Sequence, residues 1–174
     1  QIQVDTWRFH ARAPVSWSWA RPVTYPDFEA NIGADEPEEE IKTAKCCFYD
    51  LHLYTDGTPF SWKNKFMLEF DYSRELKKES VIDASLKEFK LQPNVTYKDI
   101  EAWEVYLEQV IQPVQKGTKA SVMWLPEGQI IFDYEGSPPS TIENEDFARA
   151  FLNIWLGEKT SRPKLRSQLL GNLR

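Results

Sequence analysis

From residue 144 to the end, apolar residues recur at helical spacing. Asn144 stands before Glu145 and Asp146, an N-cap followed by acids at the positive end of a helix dipole. Phe147, Phe151, Ile154 and Trp155 form one stripe, so a helix is predicted over 147–157, with Gly157 ending it in the left-handed conformation. Ser161 and Pro163 open a second helix, Leu165, Leu169 and Leu170 give it an apolar side, and Gly171 stops it. Upstream, Ser80 is placed to cap a helix carrying Ile82, Leu86 and Phe89. Thr96 and Asp99 have capping-box spacing for a helix within 94–113, whose buried stripe is Ile100, Trp103, Leu107, Val110 and Ile111.

Other stretches alternate with period two. Over 66–72, Phe66, Leu68, Phe70 and Tyr72 point one way and Met67, Glu69 and Asp71 the other, which predicts a strand with one wet face. Residues 41–54 read as a strand covered on both sides. Cys47, Tyr49, Leu51 and Leu53 share one face, while Asp50, His52 and Tyr54 share the other. Strands over 119–125 and 129–134 are joined by the short turn Pro126-Glu-Gly128. The order is therefore strands, two helices, a hairpin, two helices. Such segregation predicts an α+β fold, an antiparallel sheet covered on one face by a layer of helices.

Composition narrows the picture only moderately. The 174 residues suit a single domain, with an irregular Trp- and Pro-rich segment over 1–40 whose part from Trp7 to Trp19 is expected to lie across an open face of the sheet. Ile2 and Val4 are placed to start a strand, and 35–40 is an acidic, solvated loop. A net charge of −6 argues against nucleic acid as a partner. No apolar run approaches the ~20 residues that span a bilayer. Cys46 and Cys47 are adjacent and read as small buried apolar residues, not as a disulfide or metal pair. No Gly-rich phosphate loop or metal-like cluster is present, so no cofactor or metal is implied.

Three stretches carry a resemblance: Phe48-Tyr-Asp-Leu-His-Leu-Tyr54, Leu68-Glu-Phe-Asp-Tyr-Ser-Arg74, and the helix over 147–157. Together they resemble the bacterial chalcone-isomerase-like family, over about 44–171. The resemblance implies a large antiparallel sheet, a helical layer, and a cleft between them. Members of that bacterial group often carry a secretory leader, which implies a periplasmic location. The chain begins at Gln1 rather than Met, which fits either a removed leader or a trimmed start.

The plant enzyme of this family closes a flavanone ring with an Arg, a Thr, a Tyr, an Asn and, last, a Ser or Thr around its cleft. The stretch matching the Arg position, 31–36, holds no Arg, the Thr falls near Cys47, and 75–92 contain neither Tyr nor Asn. The last cleft residue falls near Ile154. A cleft without those donors loses its means of stabilising an oxyanion, so chalcone isomerase activity is not expected.

The resemblance, through fatty-acid binding among relatives, instead implies a non-catalytic protein holding an apolar or fatty-acid-like ligand. Its expected lining is Cys47, Tyr54, Phe70, Tyr72 and Ile154, with Arg74 receiving a carboxylate. Two alternatives stand beside it. One is an isomerase or lyase using an Asp50–His52–Tyr54 relay. The other is an envelope protein-interaction module with a filled cleft. An apolar cavity of ~300 Å³ or more favours binding.

Overall fold

The computed structural model describes residues 21–22, 48–56 and 59–170. Among the described residues, six strands form one antiparallel sheet in sequence order. They are β1 (Arg21–Pro22), β2 (Tyr49–Thr55), β3 (Phe66–Tyr72), β4 (Lys119–Leu125), β5 (Gln129–Tyr134) and β6 (Ser140–Ile142). Helices α1 (Lys78–Lys90) and α2 (Tyr97–Val110) lie between β3 and β4, and α3 (Glu145–Leu156) and α4 (Pro163–Leu170) follow β6. The expected α+β architecture is what the chain forms. Strands β1 and β6 went unread in the sequence because they hold only two and three residues. The expectations for Ile2, Val4, 7–19, the acidic loop and both cysteines lie outside the described residues.

Register fixes which side chains meet the helices. Phe70 lies opposite Ala120, which lies opposite Tyr134; Phe66, Trp124 and Ile130 form a parallel row. These rows join the main core with Phe89, Trp103, Leu107, Phe147 and Phe151 from the helices. Period-two alternation thus places Phe66, Leu68, Phe70 and Tyr72 against the helical layer, as their pattern requires.

The opposite face of β3 is not wet. Met67 is 1% exposed and Glu69 5%, and only Asp71 is half-buried. Tyr54, Met67 and Met123 make a second apolar cluster there, with Leu125 and Ile131 packed against it. Alternation identifies a strand's two faces, yet it does not say which of them is covered.

The caps explain the helix boundaries. Thr96 accepts from the Asp99 amide at 3.1 Å, and the Thr96 amide donates to Asp99 Oδ2 at 3.0 Å, a complete capping box. Asn144 accepts from the Phe147 amide at 3.0 Å. Helix α1 starts earlier than Ser80 suggests, after Lys77, which makes no side-chain cap. Gly157 ends α3 at φ −81°, not in the left-handed region. Glycine is needed there for space, because a Cβ would lie 2.7 Å from the Asn153 carbonyl oxygen.

Candidate functional site

One end of the interlayer space is filled by large rings. Trp124, Phe66, Phe89 and Phe147 are fully buried, and Trp124 Nε1 donates to the Trp62 carbonyl at 2.8 Å. Small residues stand where Tyr72 and Tyr134 lie. Ala120 sits between Phe70 and Tyr134 on the sheet, and α1 presents Ser80, Ala84 and Ser85 toward it. Small side chains facing each other across two layers leave a void that no neighbour fills. The result is a cavity of about 220 Å³, lined mostly by apolar groups.

Its floor is the sheet, with Tyr49, Phe70, Tyr72, Val122, Phe132 and Tyr134. Its sides are α1 and the Phe151–Ile154–Trp155 face of α3. Ser80, Ala84 and Ser161 are exposed as well as lining, so the cavity opens along α1. At that rim Ser161 donates to Glu88, and Arg162 also lines the space. The rim loop is pinned: Thr160 Oγ1 donates to the Ile154 carbonyl at 2.7 Å, and Arg166 Nε to the Leu156 carbonyl at 2.8 Å. Both bonds satisfy carbonyls that the end of α3 would leave open.

The floor carries three phenols. The Tyr49 hydroxyl accepts from Trp155 Nε1 at 2.8 Å. The Tyr134 hydroxyl accepts from the Gln112 amide at 3.4 Å. Burial, then the neighbouring Tyr134 and Tyr49, push the Tyr72 phenol well above its ordinary pKa. Tyr134 is also raised, by burial, against a smaller lowering from the Gln112 amide.

Phe70, Tyr72 and Ile154 therefore meet around one cavity. Tyr54 does not join them. It lies one residue out of phase with Leu53, on the far face, where its hydroxyl donates to Glu69 Oε1 at 3.0 Å. The Asp50–His52–Tyr54 relay is not assembled: Asp50 and His52 are exposed, and the Tyr54 proton goes to Glu69. Arg74 is exposed two residues beyond β3, its guanidinium 4.8 Å from the centre of the Phe48 ring, and it does not line the cavity. Cys47 lies outside the described residues, as do 31–36.

Sequence reasoning missed Arg162, Tyr134 and the small face of α1. The signal for Tyr134 was present, since it continues the Ile130–Phe132 face of an alternating strand. Among the described residues no group of three or more His, Cys, Asp or Glu is placed to hold a metal ion. Nor is any helix among them long and apolar enough to cross a membrane.

A family model described as chalcone isomerase-like matches residues 59–171, well over half of the chain. The chain belongs to the chalcone isomerase-like family. Among solved structures, that of a fatty-acid binding protein from Arabidopsis thaliana is similar, with 12% identity and a TM-score of 0.53. The match covers 72% of this chain and 77% of that one. At that identity the likeness is one of fold. No curated protein sequence matches the chain. Of the positions matched to the plant enzyme's set, those on the first helix and the one near Ile154 fall among the described residues. On that helix the family fold presents Ser80, Val81, Ala84, Ser85 and Glu88 to the cavity, with no Tyr or Asn.

Proposed function

We propose that this chain is a non-catalytic member of its family that binds an apolar, fatty-acid-like molecule between the sheet and the helices. The cavity of about 220 Å³ carries this reading. Burying polar-poor surface against water is costly to leave undone, and an apolar tail is what such a space favours. Family membership and the fatty-acid binding neighbour support the same class of ligand.

The volume sets a size. It falls short of the ~300 Å³ typical of drug-sized sites, yet exceeds the roughly 150 Å³ that suffices to hold a benzene ring in an engineered core. The ligand is therefore short or only partly enclosed: a medium chain, or one ring with a short tail.

The test is titration calorimetry with a homologous series of medium-chain fatty acids and their methyl esters. Each enclosed methylene contributes ~0.8 kcal/mol, so affinity should rise about fourfold per carbon and level off once the space is full. Absence of saturable binding at every length, or affinity indifferent to length, would refute the reading.

A further inference from the structure

We propose that Tyr72 and Tyr134 form a paired hydroxyl site on the floor of the cavity that takes an uncharged oxygen acceptor, the carbonyl of a ketone, an ester or a protonated acid. The inference rests on the binding reading above and names its ligand class and orientation. The ligand enters oxygen first, and its tail points toward the opening along α1.

Tyr72 is 9% exposed, and its hydroxyl makes no hydrogen bond among the described residues. Buried phenols normally find a partner, since an unmet donor retains its desolvation cost. Tyr134 is 8% exposed, and its one hydrogen bond uses the oxygen as an acceptor for the Gln112 amide. Among the described residues its own proton has no acceptor. Among the described residues, two uncommitted O–H donors thus line the same void, Tyr134 directly beside the short Ala120 side chain and Tyr72 two residues along β3 from Ala120's other neighbour, Phe70.

The chemistry of the floor selects a neutral group. No Lys, Arg or His stands among the floor residues, and the cation that lines the space, Arg162, belongs to the rim beside Glu88. A carboxylate taken to the floor would lose its water and gain no opposite charge, which is expensive in a low-dielectric site. A carbonyl oxygen loses far less and gains two donors. Both phenols hold their protons at neutral pH, as any tyrosine does with an ordinary pKa of about 10, and burial only strengthens that hold. They therefore act as donors there, not as anions.

Three probes of matched length separate the possibilities: methyl heptyl ketone, nonane and nonanoate. Binding is followed by tryptophan fluorescence, since Trp155 lines the cavity, in wild type, Tyr72→Phe, Tyr134→Phe and Arg162→Met. The ketone should bind wild type more tightly than nonane does. Each Phe variant should lose roughly three- to tenfold for the ketone, the effect of one neutral hydrogen bond. Nonane affinity should stay unchanged in both, which also shows that the cavity is intact.

Equal ketone affinity in wild type and both Phe variants overturns the phenol pair and leaves the binding reading standing. Nonanoate binding more tightly than the ketone, with that advantage lost in Arg162→Met, also overturns it and moves the head group to the rim. If neither nonane nor the ketone binds wild type, the binding reading fails and the phenol site fails with it.

Discussion

Replacing Trp155 by Ala tests the helix-to-sheet packing at the point where core and cavity meet. The indole is 9% exposed. It packs edge-on against Phe70 with ring centres 4.9 Å apart and against Phe151 at 5.3 Å. Its Nε1 donates to the Tyr49 hydroxyl at 2.8 Å, tying α3 to β2. Emptying a large aromatic core site costs about 3–5 kcal/mol, and losing a hydrogen bond adds ~1 kcal/mol. One side of the indole already faces the void, so fewer contacts are lost there than in a closed core. The lower end, about 3 kcal/mol, is therefore expected. With a urea slope of ~2 kcal/mol/M, the unfolding midpoint should fall by roughly 1.5 M. Trp155→Phe keeps most of the ring contact and should cost less than half as much. A loss below ~1 kcal/mol for Trp155→Ala would show that the indole does not anchor the helical layer.

Two further outcomes are expected. Ser121 Oγ is buried on the far face, between the buried carboxyls of Glu69 and Asp133 along the register, and has no hydrogen-bond partner among the described residues; Ser121→Ala should stabilise by about 1 kcal/mol and raise the melting temperature by roughly 2–4 °C. A lower melting temperature would mean that the hydroxyl is bonded after all. Tyr72 and Tyr134 hold their protons more tightly folded than unfolded, so the stability they supply is complete below about pH 10 and is lost as pH rises through their folded values. Stability measured across that range should fall more steeply in wild type than in the Tyr72→Phe/Tyr134→Phe double variant, and identical slopes would contradict the assigned shifts.

Local chemistry made much of the fold readable. The Thr96–Asp99 box and the Asn144 cap depend on residues three apart, so they are fully written in the sequence. The strands at 66–72, 119–125 and 129–134 show period two over six or seven residues, enough to distinguish them from helix. Gly157 shows the limit of such reading. A glycine at a helix end usually signals a left-handed residue, but here the close approach of the Asn153 carbonyl demands it, and only the folded backbone reveals that approach. The burial of Met67 and Glu69 was equally out of reach, since it depends on what lies across the far face and not on the strand itself.

The site was legible residue by residue and illegible as an arrangement. Phe70, Tyr72 and Ile154 were expected from the family resemblance, and the structure places all three around the cavity, where large apolar side chains on a core-facing stripe border the space the core leaves. Arg74 drew attention as a cation following an aromatic strand, but two residues past Tyr72 the chain has left the sheet and turned toward α1, so sequence proximity no longer means shared space. Arg162 reaches the cavity from 90 residues farther along, held there by the Thr160 and Arg166 bonds to the end of α3. A cavity is also a property of what is small. Ala120, Ser80, Ala84 and Ser85 are unremarkable in their own elements, and it is their meeting across two layers that leaves a cavity of about 220 Å³ beside Tyr72 and Tyr134. Filling that space from within gives the converse of Trp155→Ala: a larger residue at Ala120 would occupy the gap between Phe70 and Tyr134 on the cavity floor, and should weaken binding of the proposed apolar ligand.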